Sequence, residues 1–226
     1  MASLFSLIDA AHAQESRVTA IDILLEPDAT MVQHAQVDNA RLLKAYPTGF
    51  ALDPTHQPHL TLIQQFVRTA DLEKVYAAAN QVLAKENAAS WNLKAIRYYY
   101  IPVPPNGIAG IVVEPTEELL RLQRRLLDAV APFVEKIGTA AAFVSANGGH
   151  DIQDGLIDYV ANFSTVAAGE KFNPHVTIGV APEVYLKEML AEPFGAFTFS
   201  PVGASVYQLG SYGAARKKLR ALSLTP

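Results

Sequence analysis

Two short stretches of this chain carry the same polar signature inside otherwise apolar sequence, "PHLTL" at residues 58–62 and "PHVTI" at residues 174–178. In an extended strand successive side chains point to opposite faces, so His59 and Thr61 share one face while Leu60 and Leu62 take the other. His175 and Thr177 stand in the same relation to Val176 and Ile178. Each stretch is a polar pair on an apolar anchor. Brought to one cleft, two imidazoles and two hydroxyls suit phosphoester chemistry. Histidine titrates near pH ~6.5, so at neutral pH one ring can take a proton while the other supplies one. The hydroxyls can donate to the non-bridging oxygens, where charge accumulates. A lone His-x-Thr in a strand is more often a satisfied core or rim residue. The repeated Pro-His-apolar-Thr-apolar pattern is what favours function. Residue types alone leave open which ring is acid and which is base.

Zinc is the natural competitor for two histidines. A catalytic zinc normally takes three protein ligands, and no Asp, Glu or third His sits at ligand spacing beside either motif. Neither metal nor cofactor is expected.

The elements that must hold these motifs can be read from periodicity and breakers. "VTAIDILLEP" (18–27) is a β-branched, apolar strand closed by Pro27. Asp28 and Thr30 offer caps for a helix over 31–46, and 59–67 forms the second strand. An Ala-rich helix over 71–87 follows, capped by Thr69 or Asp71. Strands at 91–103 and 109–115 flank a Pro-Asn-Gly turn, and Thr116 opens a long helix over 116–137. A Gly-rich loop (141–151) and a helix (155–166) lead to the second motif strand, 175–181. Beyond it the pattern predicts a short helix at 182–190, strands at 196–204 and 205–213, and a returning strand at 217–224. Strands and helices alternate, with one motif in each half. The expected fold is a duplicated, bilobal α+β arrangement, two antiparallel or mixed sheets flanking a central cleft with helices outside.

Composition bounds the partners. With 50% apolar and 18% charged residues the chain folds into a globular protein, and its net charge of -4 argues against a nucleic-acid coat. A phosphate held at one site is compatible with that charge. Having no cysteine, it has neither thiolate chemistry nor disulfides. No apolar run is long enough to span a bilayer, so no membrane partner is expected, and a monomer is. Residues 1–16 form a separate segment before a single domain over 17–226. That segment contains Ala11-His12-Ala13, the small-x-small form of a signal-peptidase site, but Asp9 interrupts its apolar part and no Lys or Arg precedes it. A remnant export signal and an ordinary N-terminus stand equal, as do periplasmic or secreted and cytoplasmic locations.

The two motifs, one per half in a chain of this size, resemble the paired signature of the 2H phosphoesterase superfamily, which includes the 2'-5' RNA ligase-like RNA 2',3'-cyclic phosphodiesterases. The resemblance implies a bilobal fold with a central cleft and metal-independent hydrolysis of a 2',3'-cyclic phosphate or related phosphodiester, on a nucleotide or RNA end. It carries catalytic roles onto His59, Thr61, His175 and Thr177. Many RNA-directed members have an Arg shortly after the second motif, where this chain has Gly179 and Val180. A module that binds nucleotides or RNA ends without turnover is the alternative.

Four further residues are candidate substrate contacts. Gln64 follows the first motif and Lys171 precedes the second. Tyr99 lies in "RYYY" (97–100), where alternation sends half the rings to each face, and a ring of this kind can stack on a base. Tyr212 sits in a Gly-flanked turn before Arg216, Lys217, Lys218 and Arg220, which read as a solvated hairpin or, less favoured, a phosphate-steering patch. His56 and His150 read as loop bystanders, and Arg121, Arg124 and Arg125 as an exposed helix face.

Overall fold

The computed structural model describes residues 17–224, and the 1–16 segment considered as an export-signal remnant lies outside them. Along β1 (Val18–Pro27) the residues Ile21, Ile23 and Leu25 enter the main core, while alternation turns Ala20, Asp22 and Leu24 to the other face. Burying each Leu, Ile or Phe contributes about 1.5–3 kcal/mol. A one-residue slip would drive Asp22 into that core, so the apolar pattern holds the strand register. Asp28 then caps α1 (Ala29–Ala45), its carboxylate accepting from the backbone N–H groups of Thr30 and Met31, which have no partner within the helix. Thr116 does the same for α3 (Glu117–Val130), accepting from the Leu119 N–H. Asp71 precedes α2 (Leu72–Leu83) without a cap bond, because its carboxylate is taken by Arg68 and Lys74.

The strands β2 (Leu60–Arg68), β3 (Leu93–Val103), β4 (Asn106–Val113), β5 (His175–Pro182), β6 (Phe197–Phe199), β7 (Pro201–Leu209) and β8 (Ala215–Leu222) join β1 in one antiparallel sheet. Its order is β6-β3-β4-β5-β2-β1-β7-β8. The expectation of two sheets is thereby corrected. Two four-stranded halves exist, but Leu60 on β2 pairs with Val176 on β5 and makes the sheet continuous. That pair is the whole β2–β5 ladder, so the strands part on either side of it.

Helices α1, α2, α3 and α5 (Glu183–Ala191) bury their apolar faces with the sheet in the main core. The placement of every helix outside is also corrected. Helix α4 (Asp154–Val166) packs Val160 and Leu156 on the opposite face with Ala20, Phe66 and Phe143, while its Phe163 joins the main core. Of the late strands, 196–204 and 205–213 divide differently than the pattern predicts. Ser200 breaks the first: its N–H donates to the Asp28 side chain and its carbonyl accepts from the Asp28 N–H. Phe197–Phe199 then pairs with β3 at one sheet edge, while Pro201–Leu209 crosses to β1. No helix among the described residues is long and apolar enough to cross a membrane.

Candidate active site

The antiparallel pair Leu60–Val176 sets the site. Both side chains are buried in the core, so the residues flanking them point to the other face, with His59 across from Thr177 and His175 across from Thr61. All four side chains line one cleft of about 470 Å³. Past the crossing the strands diverge, and their freed carbonyls are met by buried amides from the helices. Gln123 of α3 donates to the Leu62 carbonyl at 3.0 Å, and Asn39 of α1 donates to the Ile178 carbonyl at 2.8 Å. An unmet buried carbonyl would cost about 1–3 kcal/mol.

Each motif strand carries a bulge just after its threonine. On β2 the pairing with β1 skips Leu62, and on β5 the pairing with β4 skips Ile178. Such an extra residue shifts the alternation and re-aims the side chains beyond it. Gln64, which strict alternation from Thr61 would send to the core face, therefore lines the cleft. On β5 the bulge holds Gly179 at φ +145, where a Cβ would lie 2.9 Å from the Asn39 amide nitrogen and 3.0 Å from Leu42. Glycine thus stands there for backbone and packing reasons.

Both rings are oriented by their own backbone. His59 Nδ1 lies 2.7 Å from the Gln57 carbonyl, and His175 Nδ1 lies 2.7 Å from the Asn173 carbonyl. A carbonyl only accepts, so both Nδ1 atoms carry the hydrogen and both Nε2 atoms are left for chemistry. Tyr99 buttresses the second ring at 4.7 Å between centroids. Burial lowers the His175 pKa to about 4, opposed by its bond to Asn173 and reinforced by the nearby His59 charge.

The halves then differ. In the first, Asp22 pairs with Gln64 in the β1–β2 register, and the carboxylate is 0% exposed. Its Oδ2 accepts from Thr61 Oγ1 at 2.8 Å and from Gln64 Nε2 at 3.1 Å, and stands 3.7 Å from His59 Nε2. Its Oδ1 is buried with no partner. Burial raises the Asp22 pKa, while His59, Thr61 and Gln64 act against that rise. In the second half the corresponding pair is Ile108 with Val180.

The cleft walls are largely apolar: Ile101, Pro102 and Val103 from β3, Phe50 and Leu52 from the α1–β2 loop, and Leu156 from α4. No Lys or Arg is among its lining residues in the described structure. Of the four candidate contacts, Gln64 and Tyr212 line the cleft, Tyr212 with φ 60. Tyr99 acts on His175, while Tyr98 and Tyr100 pack against the core. Lys171 is corrected: its Nζ donates to the Thr165 carbonyl, away from the cleft. His56 is also corrected, since it lines the cleft, stacks on Phe50 at 4.9 Å and meets Arg216 at 3.1 Å. The rest of the basic hairpin is dispersed, Lys218 pairing with Glu26 and Arg220 with Glu73. Arg121, Arg124 and Arg125 are exposed on α3 as expected, and Arg121 and Arg125 bind the buried Glu86.

Sequence reasoning missed Asp22 and Tyr159. Asp22 had a signal, a lone carboxylate amid "AIDILL" on the face away from the core. Tyr159, a cleft residue on α4, has its pKa pushed up to about 12, by burial first and then by Asp22. No group of three or more His, Cys, Asp or Glu side chains placed to hold a metal ion occurs among the described residues.

Residues 27–205 match the family described as the 2'-5' RNA ligase superfamily. No curated protein matches the sequence. Among solved structures the chain is similar to TT0787 of Thermus thermophilus, with TM-score 0.53 and 18% identity, covering 91% of this chain and 98% of that one. For apo LigT of E. coli the values are 0.44 and 13%, covering 93% and 100%. For Usb1 of Kluyveromyces marxianus they are 0.40 and 10%, covering 93% and 98%. The likeness to TT0787 is one of fold.

Proposed function

This chain belongs to the 2'-5' RNA ligase superfamily, and from that premise we propose that its cleft hydrolyses a 2',3'-cyclic phosphate or a related phosphodiester of nucleotide size without a metal ion. The observation that carries the reading is the matched pair of rings. Both Nδ1–H groups are held by backbone carbonyls at 2.7 Å, and both rings line the same cleft. One Nε2 takes a proton from water as the water oxygen bonds to phosphorus. The other Nε2 gives a proton to the leaving sugar oxygen as its bond to phosphorus breaks. Thr61 and Thr177 donate to the non-bridging oxygens, Thr61 by turning its hydroxyl from Asp22 to the phosphate. The apolar walls and the lack of a lining Lys or Arg among the described residues favour a single phosphodiester beside a base or other ring. A long polyanionic strand would call for many cations.

The test is turnover of 2',3'-cyclic mononucleotides and of short RNAs ending in a cyclic phosphate, with phosphorus NMR following the monoester. Wild type in EDTA should form product, and His59→Ala and His175→Ala should not at comparable rate. A ligand that raises the melting temperature without product would replace this reading with capture of nucleotide or RNA ends. Activity abolished by EDTA would remove the metal-free step.

A further inference from the structure

The two histidines are alike in their Nδ1 bonds and unlike in what stands beside Nε2. With Nδ1–H committed to the Gln57 carbonyl, a neutral His59 would present a lone pair toward the Asp22 carboxylate 3.7 Å away. Two electron-rich atoms at that distance repel unless a proton lies between them. That proton has a preferred owner. Asp22 Oδ2 already receives two donors, from Thr61 and Gln64, and Oδ1 is buried without an acceptor for a carboxylic hydrogen. A proton on His59 Nε2 gives the buried carboxylate its counter-charge at ion-pair distance.

We infer that Asp22 is a positioning residue that keeps the proton on His59, making His59 the general acid and His175 the general base of the diester hydrolysis proposed above. At the place corresponding to Asp22, the second half has Ile108, so no carboxylate holds a proton on His175. A cationic His59 nearby disfavours a second cation there. Water then loses its proton to His175 Nε2 while its oxygen bonds to phosphorus. The bond to the leaving oxygen breaks, and that oxygen takes the His59 proton. His59 ends neutral and His175 cationic, and solvent exchange restores both. Three neighbouring groups fit the assignment. Tyr159 from α4 and Tyr207, opposite Asp22 on β7, are phenols whose pKa values are raised, so both are neutral. Glu26, which shares a small hollow with His59, is paired with Lys218 at 2.7 Å.

The direct test is nitrogen NMR of the histidine rings in the full-length chain. At neutral pH, His59 should carry hydrogen on both ring nitrogens and His175 on Nδ1 alone. In Asp22→Asn, whose side chain matches in size, His59 should lose its proton at lower pH. A His59 titration unchanged by this substitution would overturn the inference. This readout needs no turnover, so it separates failure of Asp22 from failure of the hydrolytic reading. In kinetics, activity above neutral pH requires His59 to stay protonated, so Asp22→Asn should move the alkaline limb down and leave the acidic limb in place. With a cyclic nucleotide near pH 8 the loss should be about ten- to a hundred-fold, below the ~10²–10⁴ worth of the acid itself. With a nitrophenyl diester, whose leaving group needs no proton, the loss should nearly vanish. Asp22→Ile, which copies the Ile108 counterpart, should behave likewise. Melting curves establish that both variants fold. Folded variants with the wild-type pH profile, or with the acidic limb shifted instead, would refute the assignment.

Discussion

The His59 and His175 halves of the cleft share a scaffold down to the bulge. Each has histidine at or just before the start of its strand, places threonine two residues on, skips one residue in its ladder, and has the carbonyl of that residue held by a buried amide from a helix. On the cleft face they part at the second pair beyond the bulge, where Asp22 faces Gln64 in one half and Ile108 faces Val180 in the other. A repeated backbone can supply two equivalent rings, but acid and base must differ in protonation. In the assignment proposed above, a single carboxylate at one of two matched positions makes that difference.

The largest test of the comparison is the loss of each ring. His59→Ala and His175→Ala should each reduce cyclic-nucleotide hydrolysis by about 10²–10⁴. On a nitrophenyl diester, steady-state rates should stay impaired for His175→Ala and recover for His59→Ala. Recovery by His175→Ala alone would reverse the roles.

Removing either hydroxyl comes next. Thr61→Val and Thr177→Val should each cost about ten- to a hundred-fold, from a hydrogen bond to a charged group worth roughly 1.5–3 kcal/mol. Thr61→Val also strips a donor from buried Asp22, so it should lower the melting temperature more than Thr177→Val does. Equal melting shifts would weaken the contrast.

The comparison can also be sharpened by transplanting its difference. Ile108→Asp would set a carboxylate in the second half, and an opposite charge at such range raises a histidine pKa by about one to three units. The acidic limb of the rate profile should move up accordingly. An unmoved limb would mean that His175 is not the base.

The smallest effect is on stability, and the halves should pull in opposite directions. The folded pKa of His175 lies at about 4, below the ordinary histidine value of 6.5. Its contribution is therefore present above pH 6.5 and lost as pH falls toward 4. Asp22 has a folded pKa raised above 3.8, so its contribution is present below that value and lost as pH rises through the folded pKa. Urea midpoints between pH 4 and 6.5 should fall less on acidification in His175→Gln than in wild type, and more in Asp22→Asn.

Much of this was legible in local pattern. Alternation placed His59 with Thr61 and Leu60 with Leu62, and capping residues Asp28 and Thr116 marked helix starts. Alternation also divided the three tyrosines after Arg97, since Tyr98 and Tyr100 pack on the core while Tyr99 turns to His175. Proximity to the motif singles out Gln64, but its place on the cleft depends on a bulge that only pairing with β1 creates. The Ser200 break was hidden because it rests on bonds to Asp28, far away in the chain. Lys171 misled because nearness to a motif says nothing of where a long side chain finds its acceptor.

The sequence by itself determined that two His-x-Thr units exist, that each rides on an apolar strand, and which side chains share a face. Those properties follow from a period of two and from hydrophobic burial, both local to a few residues. Tertiary structure alone decided that the strands cross at Leu60–Val176, that the halves form one sheet, and that Asp22 stands beside His59. Register between strands depends on the burial of the whole core, so a carboxylate 39 positions from Thr61 becomes its partner only once the sheet has formed.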